Sequence, residues 1–286
     1  DVYKRQVDEW HHTRMGEYTY ACSDFKFKKG LVSATKTSGH TLQIADGLWL
    51  DKKFKAAMMK SIAQSELDRK RFVYSDIGFI LLQQVVEAVT GKTLDAYLVS
   101  EFYRPMGLEH TLFQPLNRYK KADIMPTAAN DYLRRQDLCG YVHDEAAAFM
   151  GGVSGNAGLF STAQELGKIY QMILNEGELD GKRYLRPETC RIFTTEKSAV
   201  SHRGLGYDKP NLKDPKANAC ASSAPASVYG HTGFTGTCAW VDPENDLLYI
   251  FLSNRLCPDA WNGKLNSMKI RQAVQEVIYQ SLYTPE

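Results

Sequence analysis

The spacing of the hydrophobic residues changes along this chain, and the change predicts a mixture of helices and antiparallel strands. Two β-rich runs, 237–241 and 247–252, flank the turn-forming segment 242–246, which is typical of a hairpin. Before and after this hairpin, apolar residues recur at helical spacing. The predicted helices begin near Asp51, Ser75, Thr93, Thr162 and Met268.

Local signals predict where these helices begin and end. Ser75 or Asp76 can cap the second helix, whose apolar stripe (Ile77, Ile80, Leu81, Val85, Val89) ends at Gly91. Thr162 and Glu165 form a predicted capping box, in which the hydroxyl and the carboxylate bond the first N–H groups of the helix. The last helix is expected to turn four apolar residues to a core: Ile270, Val274, Val277 and Ile278.

Three segments lack such periodicity. We assign little structure to residues 1–50, we expect loops across 115–156, and we predict a surface excursion at 208–227.

Charge and cysteine usage exclude several classes of function. The chain has 286 residues, with 35 Lys and Arg against 33 Asp and Glu, so it has no basic footprint for nucleic acid. A run of about 18 apolar residues, which a membrane span needs, does not occur. The six cysteines are scattered and predict neither a zinc site nor a disulfide scaffold. His11-His12 is interpreted as part of a solvated terminus, so we predict no metal and no cofactor.

Three short strings could carry chemistry. Tyr74-Ser75-Asp76 precedes a predicted helix, His231-Thr232-Gly233 opens the hairpin region, and the glycine-rich segment 151–158 leads into the Thr162 cap. Taken singly they indicate packing, a helix cap and a turn. Serine acyl-transfer enzymes carry S-x-x-K, then S-D-N or a tyrosine variant, then K-T-G on a strand. The second and third elements occur here in that order.

Longer blocks resemble a known family. Residues 74–82, 89–91 and 105–108 resemble the second-motif block of class C β-lactamases and their relatives, the D,D-peptidases and family VIII carboxylesterases. Later blocks of the same family resemble 158–177, 204–207, 230–237 and 252–255. The likeness covers roughly 45–282. It implies an α/β (α+β) β-lactamase/transpeptidase-like three-layer sandwich, in which an antiparallel sheet is flanked by helices and joined by a helical region.

A second likeness concerns the parent protein. Val142-His143-Asp144-Glu145 and the segment 151–158 resemble serine hydrolase domains fused behind family-three glycoside hydrolases of the β-N-acetylhexosaminidase type. This implies an upstream glycoside hydrolase domain as partner and a periplasmic or cell-envelope location. Residues 1–44 are then a lead-in or remnant, and 45–286 are an incomplete serine hydrolase domain.

The resemblance also implies roles for individual residues. Tyr74 matches the tyrosine that handles the proton of the nucleophile, although a phenol with a pKa near 10 needs nearby cations to act as a base. Asp76 stands where class C enzymes have Asn. His231 stands where K-T-G has Lys, beside the substrate-binding Thr232 and Gly233. The backbone N–H of Phe234 would contribute to the oxyanion hole. The cleft would lie between the His231 strand and the Tyr74 helix.

The first motif does not fit. Ser33-Ala34-Thr35-Lys36 matches S-x-x-K, but it lies only 41 residues before Tyr74 (74 − 33) in a stretch rich in Gly and Thr, about half the family's separation. We therefore expect the serine and lysine upstream of Asp1, the more so because residues 1–6 begin without Met. The chain alone would then be inactive. The alternative is a catalytically inactive binding module of a larger glycoside hydrolase protein.

The substrate is predicted from charge. An unperturbed histidine is largely uncharged near neutral pH, so we expect little positive charge where His231 replaces the Lys of K-T-G. Asp76 adds a negative charge, so neutral or weakly charged acyl substrates, as in an esterase or a peptidoglycan-related enzyme, are favoured over penicillins. The alternative is that Arg203 or Arg255 supplies the anion site. Two other folds are excluded, because 152–156 misses the α/β-hydrolase G-x-S-x-G pattern and 151–158 lacks a P-loop lysine.

Overall fold

The computed structural model describes residues 7–8, 12–15, 18–21, 26–65 and 74–283, with side chains from Phe27 to Leu282. This part of the chain forms two compact units. The first comprises the described residues of 1–98, 112–160 and 257–260, and the second comprises 99–111, 161–256 and 261–283. The division predicted at 44/45 stays a prediction.

The first unit combines short antiparallel strands with four helices. The strands are β1 (Val7–Asp8), β2 (His12–Met15), β3 (Tyr18–Ala21), β4 (Lys26–Phe27), β5 (Val32–Ser33), β6 (His40–Ala45), β7 (Leu48–Asp51), β8 (Leu112–Phe113), β9 (Pro126–Asp131), β10 (Gln136–Cys139) and β11 (Leu159–Phe160). The helices are α1 (Phe54–Ala63), α2 (Ile77–Thr90), α3 (Leu94–Leu98) and α4 (Glu145–Phe149). In the largest sheet of this unit the order is β5-β7-β6.

The core of the first unit is apolar and lies between α1, α2, α4 and the β5-β7-β6 sheet. It is built from Ile44, Leu50, Phe54, Met58, Ile62, Ile80, Leu133, Ala146, Ala148, Phe149 and Met150. The rings of Phe54 and Phe149 meet at 4.9 Å in a tilted pair, which joins α1 to α4. The prediction of loops across 115–156 was therefore wrong at β9, β10 and α4.

The second unit centres on a three-stranded antiparallel sheet. Its elements are α5 (Ala163–Leu174), β12 (Glu178–Leu179), β13 (Lys182–Arg183), α6 (Pro187–Thr195), β14 (Tyr229–Thr232), β15 (Cys238–Asp242), β16 (Leu247–Phe251), α7 (Lys264–Ser267) and α8 (Ile270–Tyr283), with a π-helical turn at Val99–Tyr103. The sheet order is β14-β15-β16. The predicted hairpin is confirmed, because Asp242 pairs with Leu247 across its turn.

Two expectations about the second unit were wrong in part. Segment 208–227 is exposed along 212–217, as a surface excursion would be, but Asp208, Lys209, Cys220 and Ala221 are buried. In α8 Ile278 packs against the core as predicted, but Val274 and Val277 are exposed, and Gln275 and Tyr279 are buried in their place. A buried hydrogen bond explains the inward polar face of this helix: the Tyr279 hydroxyl donates to the Asp242 carboxylate over 2.8 Å, which satisfies both groups.

The predicted helix ends are largely confirmed. Gly91 ends α2 in the left-handed conformation, with φ of 68°. The Thr162 hydroxyl caps α5 by accepting from the N–H of Glu165 over 3.3 Å. The Glu165 carboxylate does not return the bond as a capping box requires, and instead accepts from Thr111 and from the N–H groups of Glu109 and His110.

Within the described residues, no helix has both the length and the apolar character needed to cross a membrane.

Candidate active site

The predicted site residues fall into two groups, one in each unit. Tyr74 and Asp76 lead into α2 of the first unit. His231, Thr232, Gly233 and Phe234 lie at the end of β14 in the second unit. The structure brings together the members of each group. The cleft that would join the two groups stays a prediction.

Tyr74 lies exposed directly before α2. Its side chain is 59 % accessible to solvent. The Ser75 hydroxyl accepts a hydrogen bond from the N–H of Ile77 over 3.2 Å, which closes the turn before α2, but the N-cap residue Asp76 makes no side-chain cap bond, so the predicted cap does not form. The turn before α2 therefore presents a phenol at the beginning of a helix, where a substrate or another side chain can reach it.

A buried glutamine attaches the glycine-rich loop to α2. The amide oxygen of Gln83 accepts from the N–H of Gly155, and its Nε2 donates to the carbonyl oxygen of Val153, both over 3.2 Å. A Cβ at Gly155 would lie 2.2 Å from the carbonyl oxygen of Phe79. Only glycine permits this close approach, so the third string of the sequence has a structural reason for its composition.

The motif 142–145 also holds this loop. The Asp144 carboxylate caps α4 by accepting from the N–H of Ala147 over 2.7 Å. The same oxygen accepts from Nδ2 of Asn156 over 3.0 Å. Burial lowers the pKa of His143, whose carbonyl oxygen accepts from Nη2 of the buried Arg134. The described contacts of this motif are those of a structural support for the loop.

The outer face of α2 is apolar and exposed. Leu82, Val85 and Val89 are 56 %, 55 % and 80 % accessible, whereas Ile80 is buried in the core. The predicted single stripe is therefore split between two faces of the helix. A helix that is hydrophobic all round is normally covered on every side.

His231 contacts an arginine. Its Nε2 lies 2.9 Å from Nη1 of Arg203, and its Nδ1 lies 2.7 Å from the carbonyl oxygen of Thr232. β14 is an edge strand of the described three-stranded sheet. Sequence reasoning named Arg203 only as an alternative anion site, and the structure places it against the histidine of the motif.

Two further arginines contact the turn that follows His231. Arg255 donates through Nε to the carbonyl oxygen of Phe234 over 2.6 Å, and its guanidinium lies 4.3 Å from the centre of the Phe234 ring. Arg271, on α8, donates to the carbonyl oxygens of Gly233 and Thr237. A Cβ at Gly233 would lie 2.2 Å from Oγ1 of Thr237, so a larger residue there would displace the Thr237 hydroxyl.

The S-x-x-K match at Ser33 lies on a strand. Ser33 ends β5, and its hydroxyl accepts from the N–H of Thr35 over 3.3 Å. Lys36 lies over the Trp49 ring at 5.6 Å instead of beside the serine. A second S-x-x-K match, which sequence reasoning missed, is Ser23-Asp24-Phe25-Lys26. Ser23 lies outside the described residues, and Lys26 begins β4. The described residues of both matches therefore lie on strands or in turns and do not begin a helix.

The first unit also contains a pocket of about 240 Å³ that sequence reasoning missed. Its lining combines polar and aromatic side chains, such as Lys36, Gln114 and Trp49, with aliphatic ones such as Leu42 and Leu116. Neither Tyr74 nor Asp76 lines it. Across the described residues no group of three or more His, Cys, Asp or Glu side chains is placed to hold a metal ion. His11-His12 falls outside the described side chains.

Comparisons with known proteins place the chain in the family that its sequence resembles. The family model described as "Beta-lactamase" matches residues 34–271. "Putative D-alanyl-D-alanine carboxypeptidase" of Escherichia coli (strain K12) is 38% identical over 197 residues, which are 65% of this chain and 45% of the relative. A protein of the same name from Salmonella gallinarum (strain 287/91 / NCTC 13346) is 32% identical over 227 residues, 74% of this chain and 52% of the relative. The chain spans about half the length of these relatives.

Two solved structures share the fold. EstCE1, described as a hydrolase with promiscuous acyltransferase activity, has a TM-score of 0.52 and 18% identity, over 79% of this chain and 62% of its own. Simvastatin synthase (LovD) from Aspergillus terreus has a TM-score of 0.52 and 17% identity, over 82% and 63%. With the family match, these likenesses confirm the predicted β-lactamase/transpeptidase-like fold of helices and antiparallel sheets.

Proposed function

Because the chain belongs to the β-lactamase family of serine hydrolases, we propose that it supplies the tyrosine and His-Thr-Gly elements of a hydrolase domain that acts through an acyl-enzyme. The observation that carries this proposal is the placement of the two motifs. Tyr74 stands exposed before α2, and His231-Thr232-Gly233 ends an edge strand, which are the settings that this chemistry uses.

The proposed reaction has two steps. A serine hydroxyl attacks the substrate carbonyl and forms an acyl ester, while the proton of the hydroxyl passes to Tyr74 and then to the leaving amine or alcohol. Water then cleaves the ester and restores the serine. We assign the N–H of Phe234 to the oxyanion hole, Thr232 and Gly233 to substrate binding, and Asp76 to the same cleft as Tyr74.

Charge at the end of β14 favours an anionic substrate. Arg203, Arg255 and Arg271 all contact residues 231–237. This favours the alternative in which arginine supplies the anion site, over the expectation of neutral substrates. The names of the relatives point the same way, because a D-alanyl-D-alanine peptide ends in a carboxylate. We therefore propose peptidoglycan-type peptide ends as the substrate class.

We propose that the nucleophilic serine and its lysine precede Asp1 in the parent protein. Two observations support this. Ser33 lies on β5, whereas the nucleophile of this family opens a helix. The exposed apolar face of α2 begins at Leu82, about two turns beyond Tyr74, and an apolar helix that carries S-x-x-K would cover it. An upstream glycoside hydrolase domain is part of the same proposal, and it rests on the likeness of 142–145 and 151–158 alone.

The competing function is a binding module without chemistry. It is favoured by the lack of a helix-opening S-x-x-K among the described residues. The two functions are distinguished by the reading frame of the parent protein, which shows whether S-x-x-K is present upstream of Asp1. A parent in which S-x-x-K opens an apolar helix upstream of Asp1 supports the enzyme, and a parent without it supports the binding module.

The proposed substrate is tested by release of D-alanine. The parent protein is incubated with a synthetic peptide that ends in D-alanyl-D-alanine, with the same peptide as its C-terminal amide, and with a p-nitrophenyl ester. We expect the peptide with the free C-terminal carboxylate to be hydrolysed with a higher kcat/KM than the peptide with the C-terminal amide. Equal rates on both peptides would remove the anion site from the proposal, and hydrolysis of the ester alone would indicate an esterase.

A further inference from the structure

The hydrogen bonds of His231 define its tautomer. A guanidinium has N–H donors and no acceptor, so Nε2 of His231, 2.9 Å from Nη1 of Arg203, must accept. A carbonyl oxygen only accepts, so Nδ1, 2.7 Å from the Thr232 oxygen, must donate. Both bonds exist together only in the neutral ring that carries its proton on Nδ1. A proton on Nε2 would face an N–H and add a second cation beside Arg203.

Arg203 is itself held in place beside β14. Its Nη2 lies 3.4 Å from Oδ2 of Asp208, whose side chain is 8 % accessible. Oδ1 of Asp208 lies 2.9 Å from Nε2 of His202. The backbone of Asp208 exchanges two hydrogen bonds with Gly230, the residue before His231. Strand pairing therefore fixes the carboxylate that orients the guanidinium.

Other charged groups near this cluster point elsewhere. The ammonium of Lys209, next to Asp208, donates to the carbonyl oxygens of Thr194 and Ser227. Arg255 and Arg271 donate to the turn 233–237 and not to the His231 ring in the contacts described above. Among the contacts that the structure describes, the charged groups that face His231 and Arg203 include Asp208 and His202.

We infer that Arg203 is a positioning residue, which Asp208 orients and which holds His231 as the neutral Nδ1–H tautomer. The positive charge of the His-Thr-Gly element then resides on Arg203 and does not depend on protonation of the histidine. His231 cannot serve as a base through Nε2 while this contact lasts. The tautomer follows from the geometry alone, whereas its consequence for turnover rests on the proposed function.

The tautomer is measured by nuclear magnetic resonance on the 286-residue chain. Histidine labelled with ¹⁵N gives different long-range proton couplings for the two neutral tautomers, and the His231 signals are identified by their loss in a His231→Gln variant. At a pH where the ring is neutral, we expect His231 to be mainly Nδ1–H. Arg203→Lys keeps a donor opposite Nε2 and should preserve this pattern. Arg203→Met removes the donor, so only the Thr232 carbonyl then favours Nδ1–H and the fraction of the ring in the Nε2–H form should rise.

Two results would overturn the inference: Nε2–H in the unaltered chain, or an unchanged tautomer in Arg203→Met. Retained amide signals of β14 in each variant show that the strand has formed, and the tautomer of the unaltered chain still tests the inference if Arg203→Met does not fold. The activity of the parent protein gives a separate readout. There, Arg203→Met should change the pH profile of kcat/KM more than Arg203→Lys does. If His231 is Nδ1–H but the parent protein hydrolyses none of the substrates, the proposed function is wrong and the positioning role of Arg203 is still supported.

Discussion

Gln83 and Gly155 are joined by a hydrogen bond of 3.2 Å, in which a buried amide oxygen on α2 accepts from the N–H of the glycine-rich loop. The same side chain donates to the carbonyl oxygen of Val153. One residue of α2 therefore satisfies two backbone groups of the loop, and the helix that Tyr74 precedes is held against a segment more than 70 residues away in sequence.

Replacing Gln83 with Leu should destabilise the first unit. The substitution keeps the size of the side chain but removes its hydrogen bonds to the Gly155 N–H and the Val153 carbonyl, both part-buried, at a cost of about 0.5–1.5 kcal/mol for each bond. Urea denaturation followed by circular dichroism measures the loss. Gln64→Leu at the exposed end of α1 is the matched control and should change stability by less than about 0.5 kcal/mol. Equal effects of the two variants would show that the bridge contributes nothing.

A methyl group at Gly230 should disrupt the pairing of β14 with β15. The Cβ would lie 2.1 Å from the carbonyl oxygen of Ala239 and 2.7 Å from the Trp240 ring, both in a closely packed core. Overpacking of this kind costs about 1–3 kcal/mol or more. Gly263→Ala is the control, since nothing lies within 4 Å of its added Cβ and its φ is −81°. The melting temperature should fall for Gly230→Ala and hold for Gly263→Ala, and a stable Gly230→Ala protein would contradict the register described for β14.

Glu165 should make the second unit sensitive to acid. Burial opposes its ionisation, but hydrogen bonds from Thr111, His110 and Glu109 outweigh burial and hold the pKa of this carboxyl below its usual value. The unfolded chain therefore binds the proton first, near pH 4.3, and stability falls as the pH drops from there through the folded-state pKa. Above that window the carboxylate contributes its full stabilisation.

Glu165→Gln tests this directly. The difference in unfolding free energy between the unaltered chain and the variant should be about 1–3 kcal/mol at pH 7, because charged hydrogen bonds are lost. The difference should shrink as the pH falls below about 4. Glu188→Gln, on the exposed first turn of α6, serves as the control. A difference that stays constant from pH 7 to pH 3 would show that the charge of Glu165 does not matter.

Local patterns in the sequence predicted α1, α2, α5, α8 and the β15–β16 hairpin, because periodicity and caps act over a few residues. They could not show that Glu165 bonds residues 109–111, since that partner lies some 55 positions away. The buried polar face of α8 was missed for the same reason: Tyr279 is satisfied by Asp242, in a distant strand. Likewise the motif predicted His231, but its contact with Arg203 spans 28 positions and follows from the pairing of Asp208 with Gly230.

Tyr74 should be required for acylation in the parent protein. Tyr74→Phe removes the hydroxyl but keeps the ring, so stability should change little at this exposed position. Loss of a proton-transfer group should lower the acylation rate by about 10²–10⁴-fold. Stopped-flow measurement with a chromogenic acyl donor gives the rate, and Tyr119→Phe, at a tyrosine outside all three motifs, is the control. A Tyr74→Phe protein that keeps more than half of the parent's rate would remove Tyr74 from the mechanism.

The central claim is that this chain belongs to an acyl-enzyme hydrolase whose nucleophile lies outside residues 1–286. The most direct measurement is mass-spectrometric mapping of the covalent adduct that a fluorophosphonate or penicillin probe forms with the parent protein. The account predicts one labelled serine, upstream of Asp1 and three residues before a lysine, and no adduct on the 286-residue chain alone. Labelling at Ser33, Ser23 or any other serine of this chain would contradict the placement of the nucleophile. A parent protein that forms no adduct with either probe would contradict the enzyme itself and leave the binding module.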